Sequence, residues 1–515
     1  MRENVRRLAP LGLALVLAAA APCLIAWGQG RPPRPDVIVG DIQDVRIWGS
    51  QGNFTAYSFG TTSCNIGQRP LDWLPDPDPR HPVIAQNLYR VKDGRIEQIA
   101  LSWLKHGFSV AAGRLCGNCQ DFSTNRLGVN CSDPYSAFLN GSQGNLGPRS
   151  EVNAATGVFR TPFSHLPGSP GVLGGRLRVR QADVDPVLNP GATYLIEAQY
   201  VHPQDAAAGN GANNASYRPL RIDASTGNPV LRIDPAAPTQ RTQPAIAGWA
   251  GIGPGTAQLF NVDVPGDGRM ILGVRTVRTA TGLHHEIALQ NINSDRSASS
   301  LQVTMGSGTL SNFGFHAPTY DHEPYSSAPW TVMPAGSSVT WATEPFATNQ
   351  NANALRWGTL YSFWLDSEQP IQSVTVGLFK PGDPSSIGPI PIPIPPITPV
   401  VAQAPPASPV VEGMWLVAPD HVEMSLGKDP GSFRVYAIPG LRPQLAKVSS
   451  SSPHVSITQT AIEEGDLTGW EIKLERSPEA PEGHYESIIT FESSGKQHDP
   501  VVVRSFGEIL GRPSE

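Results

Sequence analysis

Charged side chains are sparse in this chain, 16% of its 515 residues, and the net charge is −6. Such a balance offers no basic surface for nucleic acid. Cysteine is scarcer still, five in all. Zinc would want two close cysteine pairs, and only Cys116 and Cys119 are close. Long runs with three-four spacing of apolar residues are missing after the first thirty residues, which argues against a helical fold. Missing too are an HExxH helix, a glycine-rich nucleotide loop and a Gly-x-Ser-x-Gly elbow. The nearest approach to the elbow, Asn140-Gly141-Ser142-Gln143-Gly144, lacks glycine two residues before the serine and reads as a turn. Gly and Pro, 51 each, are abundant without any period, which interrupts helices and excludes collagen.

What the chain does have begins at its first residues. Arg2, Arg6 and Arg7 precede an apolar run from Leu8 to Trp27, with small residues at Ala26 and Gly28 before Gln29. These are the parts of a secretory signal over residues 1–28, followed by a short linker over 29–36. The run is long enough to span a bilayer, so an uncleaved N-terminal anchor is one alternative and a route by which a membrane enters. A lipoprotein reading at Cys23 is the other, disfavoured because Pro22 precedes it where such signals want a small flexible residue. Cys23 leaves with the signal, and Cys64, Cys116, Cys119 and Cys131 remain. An even number of cysteines in an exported chain predicts two disulfides with three possible pairings. Cys116 with Cys119 and Cys64 with Cys131 is the pairing favoured here.

Short alternating segments bounded by Gly, Pro, Asn and Asp recur throughout, the signature of an all-β fold. A β-sandwich body over residues 37–380 is predicted, in two halves with a seam near 235–245. In the first half a hairpin turns at Lys92-Asp93-Gly94. In the second, strands run over 257–264, 270–279, 284–291 and 373–379, the first two joined at Pro265-Gly266-Asp267-Gly268. Residues 116–157 are rich in Asn, Gly and Ser, an irregular segment of the kind that is functional or disulfide-stapled. Residues 381–410 form a Pro-rich linker, whose Pro389 to Pro396 tract favours a polyproline II spacer. Residues 411–511 read as an immunoglobulin-like sandwich, with Trp470, Ile472 and Leu474 alternating against Glu471, Lys473 and Glu475. Pro481-Glu482-Gly483-His484-Tyr485 resembles the opening of a late strand in bacterial immunoglobulin-like repeats.

Six motifs recur together in the body: Gly60-Thr61-Thr62-Ser63-Cys64-Asn65, Ser102-Trp103-Leu104-Lys105-His106-Gly107-Phe108, Cys131-Ser132-Asp133-Pro134-Tyr135, Leu139-Asn140-Gly141-Ser142-Gln143, Leu146-Gly147-Pro148-Arg149 and Asn291-Ile292-Asn293-Ser294-Asp295-Arg296. In these the body resembles a family of uncharacterised exported bacterial proteins. The resemblance implies an extracytoplasmic β-rich protein and brings no activity or ligand with it.

Metal chemistry would centre on His284, Glu286, His316 and His322. His284 and Glu286 share a strand face, and imidazole with carboxylate suits zinc, copper or non-haem iron. The plainer reading puts His284, Glu286 and Gln290 on a wet face, with His285, Ile287 and Leu289 packed inward. No cofactor is assigned. Asp183 with Asp185, Asp263 with Asp267 and Asp76 with Asp78 leave room for a structural calcium. Carbohydrate chemistry would need paired carboxylates, and convergence of Asp133, Glu151 and His106 in one cleft would mark a site. Trp48, Trp73, Trp103, Trp249, Trp330, Trp357 and Trp364 read mainly as core. The sequence thus predicts an exported, non-catalytic cell-surface or periplasmic protein that binds a surface glycan or protein. A secreted metal-dependent or carbohydrate-active enzyme is the alternative.

Overall fold

A computed structural model describes residues 33–223, 229–280, 282–382, 389–396 and 400–401, together with the tail strands between 415 and 509. The signal over residues 1–28 and most of the 381–410 linker lie outside the described residues.

The longer strands of the first half are β1 (Val37–Gln51), β2 (Phe54–Asn65), β3 (Val83–Lys92), β4 (Arg95–Leu101), β5 (Ser132–Tyr135), β6 (Leu177–Arg180), β7 (Thr193–Val201), β8 (Ala215–Asp223) and β9 (Val230–Ile233). A short helix, α1 (Ala245–Ala250), follows. The second half contains β10 (Gln258–Asp263), β11 (Arg269–Arg278), β12 (Leu283–Asn291), β13 (Ala298–Met305), β14 (Leu310–His316), β15 (Thr331–Ala335), β16 (Ser338–Ala342), β17 (Thr359–Ser367), β18 (Ile371–Leu378) and β19 (Ile390–Pro393).

These strands form four main sheets, each antiparallel through its longer strands. The first runs β1-β2-β6, with β5 also on β2, and the second runs β9-β8-β7-β3, with β4 on the far edge of β3. The third runs β10-β11-β12-β17-β14 and the fourth β15-β16-β13-β18-β19. Val39, Tyr57 and Phe59 of the first sheet share a core with Leu88, Ile196 and Tyr200 of the second. Leu272, Ile287 and Phe363 of the third share another with Val303, Val374 and Trp341 of the fourth. These are two sandwiches, all-β as the alternation predicts.

The inner sheets are covered on both faces. Tyr89, Val91, Ile96 and Leu195 of the second sheet pack with Ala288 and Leu360 of the third, around Ala245, Ile246 and Trp249 of α1. Four layers therefore stack in sequence, and nearly every residue of β3, β7 and β12 is buried. This corrects the expected wet face of β12. His285, Ile287 and Leu289 do point into the second sandwich, but Glu286 and Gln290 are buried as well, against the first.

Polar side chains seal this junction, as burial without water requires. Glu197 accepts from Asn87 Nδ2 (2.9 Å), Tyr89 Oη (2.9 Å), Gln290 Nε2 (2.7 Å) and the first amide of α1, Ala245 N (2.7 Å). Arg149 donates to the carbonyls of Ser102, Gly358 and Gln86 and to Asn87 Oδ1, at 2.7–3.1 Å. Gly358 has φ +69°, and a Cβ there would lie 2.7 Å from the Arg149 guanidinium.

The disulfides join Cys64 to Cys116 and Cys119 to Cys131, not the favoured pairing. Register is the reason. Ser132, not Cys131, stands opposite Cys64, and neighbours on a strand point to opposite faces. The Cys131 thiol is thereby turned from Cys64 toward Cys119, while the 113–116 loop, bridged to Ser132 through Gly113, brings Cys116 over Cys64.

The Pro-rich tract also departs from its predicted spacer. Ile390–Pro393 pairs antiparallel with Ser373–Val376 on the edge of the fourth sheet, and Ile392 and Ile394 enter the core. An edge strand needs inward donors at alternate residues only, so proline at every second position costs it no ladder bond. Beyond the linker, eight tail strands form two four-stranded sheets. In the best-alternating strand, Leu467–Arg476, Ile472 is buried and Lys473 exposed.

Candidate functional site

A cleft of about 650 Å³ opens at the junction of the sandwiches. Its first wall is β4 with the end of β3. The Asp93-Gly94 turn joins them with both residues at positive φ (53° and 87°), the two-residue geometry that matches strand twist. Arg178 and Arg180 on β6 share one strand face and enter from a second wall. Both guanidinium groups lie over the Phe54 ring, at 4.6 and 5.5 Å from its centroid. The second sandwich contributes Glu286, His316, Thr319 and Asp321.

Ion pairs run around these walls. Arg90 reaches Glu97 (2.6 Å) and Asp183 (3.3 Å), Arg95 makes a two-pronged contact with Glu286 (2.8 and 2.9 Å), and Arg178 meets Asp321 (3.2 Å). Burial would raise the Glu97 carboxyl, but His316 and Arg90 outweigh it and hold Glu97 below the usual range. Burial dominates at Asp183 and pushes its carboxyl up despite Arg90 and Arg180. His316 Nε2 donates to the Gln98 carbonyl (3.1 Å), and Ser362 Oγ donates to the Ile96 carbonyl, so side chains of the second sandwich cap the outer edge of β4.

The metal candidates divide. His284 and Glu286 do share a face, with Nε2 to Oε1 at 2.8 Å, and Asp366 Oδ1 lies 2.5 Å from His284 Nδ1. Hydrogen bonding to Glu286, aided by Asp366, raises the His284 imidazole above its ordinary value against the pull of burial. Glu286 is also held by Arg95, whose guanidinium sits 3.3 Å over the Trp364 ring. The result is a chain of contacts, Asp366 to His284 to Glu286 to Arg95, across the junction. His316 bonds to Gln98, and His322 lies 3.1 Å from Asp321. Among the described residues, no group of three or more His, Cys, Asp or Glu is arranged to hold a metal ion.

Among the described residues, five of the six calcium candidates, all but Asp76, have protein partners. Asp78 binds Arg80 through both oxygens, Asp263 binds Arg269, and Asp183 binds Arg90. Asp267 accepts from Ser294 Oγ and from the amides of Asp295 and Arg296, clamping the turn that follows β12.

Asp133, Glu151 and His106 each have separate partners. Asp133 accepts from Trp73 Nε1 (3.1 Å) and Ala111 N (2.6 Å), and burial lifts its carboxyl to about 7. Glu151 accepts from Ser164. His106 stacks on Phe163 (3.9 Å) and meets His81 (Nδ1 to Nε2, 3.2 Å). Burial, with His81 and Lys105 adding repulsion, pushes the His106 imidazole down to about 2. Neighbouring Lys105 is lowered by burial to about 8. Trp73, Trp103, Trp249, Trp330 and Trp357 are core, while Trp48 and Trp364 are half-exposed.

The cleft arginines were not among the sequence candidates. A signal was present: Arg176, Arg178 and Arg180 recur at a period of two, which an all-β reading places on one strand face. Their meeting with Arg90 and Arg95 comes from sheet packing that strand patterns do not encode.

No family model matches the chain, and no curated protein is significantly similar to it. One solved structure with some likeness is described as the manganese lipoxygenase of Gaeumannomyces graminis with part of zonadhesin of Komagataella pastoris. It is 7% identical, with 69% of this chain and 92% of that one covered and a TM-score of 0.16. Another is the N-terminal domain of the Streptococcus gordonii adhesin Sgo0707, 10% identical over 62% and 76% of the two chains, with a TM-score of 0.11. Scores this low carry no argument about this chain.

Proposed function

We propose that the chain is an exported, non-catalytic binding protein of the cell surface or periplasm, with its ligand site in the cleft between the two sandwiches. The observation behind this reading is the state of the cleft carboxylates. Glu97, Asp183, Glu286 and Asp321 are each held by an arginine within 3.3 Å. A carboxylate so engaged is a poor general base or metal ligand, whereas a pre-formed concavity with fixed polar groups is what binding requires. The two disulfides favour an oxidising compartment, and the N-terminal basic-apolar segment supplies the export signal. Among the described residues, no helix is long and apolar enough to cross a membrane. The tail is read as an immunoglobulin-like module carried at the end of the Pro-rich segment.

A glycan array probed with the body, and separately with the tail, tests the proposal. Enrichment is expected for the body and should be lost on Thr319→Trp, which fills the cleft from an exposed position. Signal equal to that of an unrelated sandwich would refute a glycan-binding role. Metal analysis of purified protein and of the His316→Ala and His322→Ala variants tests the enzymatic alternative. Bound metal in the wild type that either change removes would favour the enzyme.

A further inference from the structure

Cations and carboxylates line the cleft in equal number, but two of the cations stand outside its ion pairs. Five basic side chains line it, Arg90, Lys92, Arg95, Arg178 and Arg180, with five carboxylates, Asp93, Glu97, Asp183, Glu286 and Asp321. Arg90 takes Glu97 and Asp183, Arg95 takes Glu286, and Arg178 takes Asp321. Three cations therefore engage four carboxylates. Lys92 and Arg180 form no salt bridge among the described residues, Arg180 acting on Asp183 only from beyond contact distance, and Asp93, on the exposed turn, is the carboxylate left over. Lys92 Nζ spends one donor on the Leu188 carbonyl (3.0 Å). The Arg180 guanidinium lies over the Phe54 ring, 5.5 Å from its centroid, a contact that uses the ring face and none of the guanidinium's hydrogen-bond donors.

We propose that the cleft binds a short acidic saccharide, with Arg180 receiving its carboxylate and Lys92 supporting the same negative charge. The proposal rests on the binding role given above and names the ligand class. Three observations point to a saccharide. The volume, about 650 Å³, suits a small ligand or a short oligomer segment and falls well short of a macromolecular face. The walls mix donors and acceptors, with Gln98, Asn189 and Thr319 among the charged groups, as hydroxyl-rich ligands require. A peptide adding as a strand to β4 is disfavoured, because the Ile96 and Gln98 carbonyls on its outer edge already accept from Ser362 and His316. Guanidinium meets carboxylate through paired hydrogen bonds, which gives geometric selectivity as well as attraction.

Isothermal titration of the full mature chain with a galacturonic acid trimer, a neutral glucose trimer and a penta-aspartate peptide tests this. The uronate trimer should bind best. Its affinity should fall roughly 10- to 100-fold in Arg180→Ala, the loss expected for a charged hydrogen bond, and less in Arg180→Lys. It should also weaken as salt rises from roughly 0.05 to 0.5 M. Unchanged melting temperatures in the variants would exclude misfolding as the cause. Neutral trimer bound as tightly, blocked by Thr319→Trp but indifferent to Arg180→Ala, would overturn the acidic class and keep the cleft as a binding site. Penta-aspartate binding through Arg180 without uronate binding would overturn the saccharide in favour of a peptide. No binding of any of the three probes, with an array signal for the body that Thr319→Trp leaves unchanged, would overturn both the ligand class and the cleft as the site.

Discussion

Arg149 shows how much structural weight single polar residues carry here. Its guanidinium is buried and meets four acceptors drawn from both sandwiches, and its own amide donates to Glu323 Oε1 at 2.6 Å. Arg149→Met keeps the bulk but leaves those acceptors unmet. It should cost about 3–5 kcal/mol, read by chemical denaturation, in the range for breaking a buried charged network. His106 gives a pH signature. Its folded value, about 2, lies far below the ordinary 6.5, so unfolding takes up a proton once the pH drops below 6.5. Stability is then full above 6.5 and falls with acid, by about 1.4 kcal/mol per pH unit for this group. His106→Phe should lessen the loss between pH 6.5 and 4, the buried His202 and His285, each lowered to about 4, supplying the remainder, and an unchanged slope would refute the assignment. Of these two residues the sequence exposes only the identities. Arg149 and His106 lie in quoted motifs, yet nothing local says that one binds four carbonyl-type acceptors and the other stacks on Phe163.

At the scale of the element, alternation served well wherever one face meets solvent or a single core. The hairpin at Asp93-Gly94, the turn at Gly266-Asp267 and the four strands expected in the second sandwich lie where their patterns place them. Alternation misled at β12, because period two separates faces without saying what covers each. Glu286 and Gln290 look like wet-face residues and are in fact the polar lining of a junction. Proline misled in the other direction at β19, where the tract reads as a spacer but pairs as a strand. Ile392→Ala should destabilise the body by about 2–4 kcal/mol through the cavity it leaves. Pro391→Thr, facing outward, should change stability by no more than about 0.5 kcal/mol. Equal effects of the two changes in thermal denaturation would contradict the edge pairing.

Across the whole molecule, the two sandwiches were legible as halves, while their union was not. Asn87 and Tyr89 meet Glu197 within the second sheet, and Gln290, far along the chain, joins that network only when the third sheet packs against it. Buried polar groups of this kind are costly when opened, so neither half should melt alone. Calorimetry of residues 29–396 is expected to give one transition, and Glu197→Ala should lower that transition without splitting it. Two separated transitions would show that the halves are thermodynamically independent.

The last strand has a consequence for how copies of this protein meet one another. With Pro391 and Pro393 alternating against Ile390 and Ile392, the outer rim of the fourth sheet offers an arriving chain carbonyls but no donors at those positions. A foreign strand cannot zip onto such a rim, so templated growth into fibres stops there. The alternating prolines of this rim thus act as a built-in guard against self-seeding.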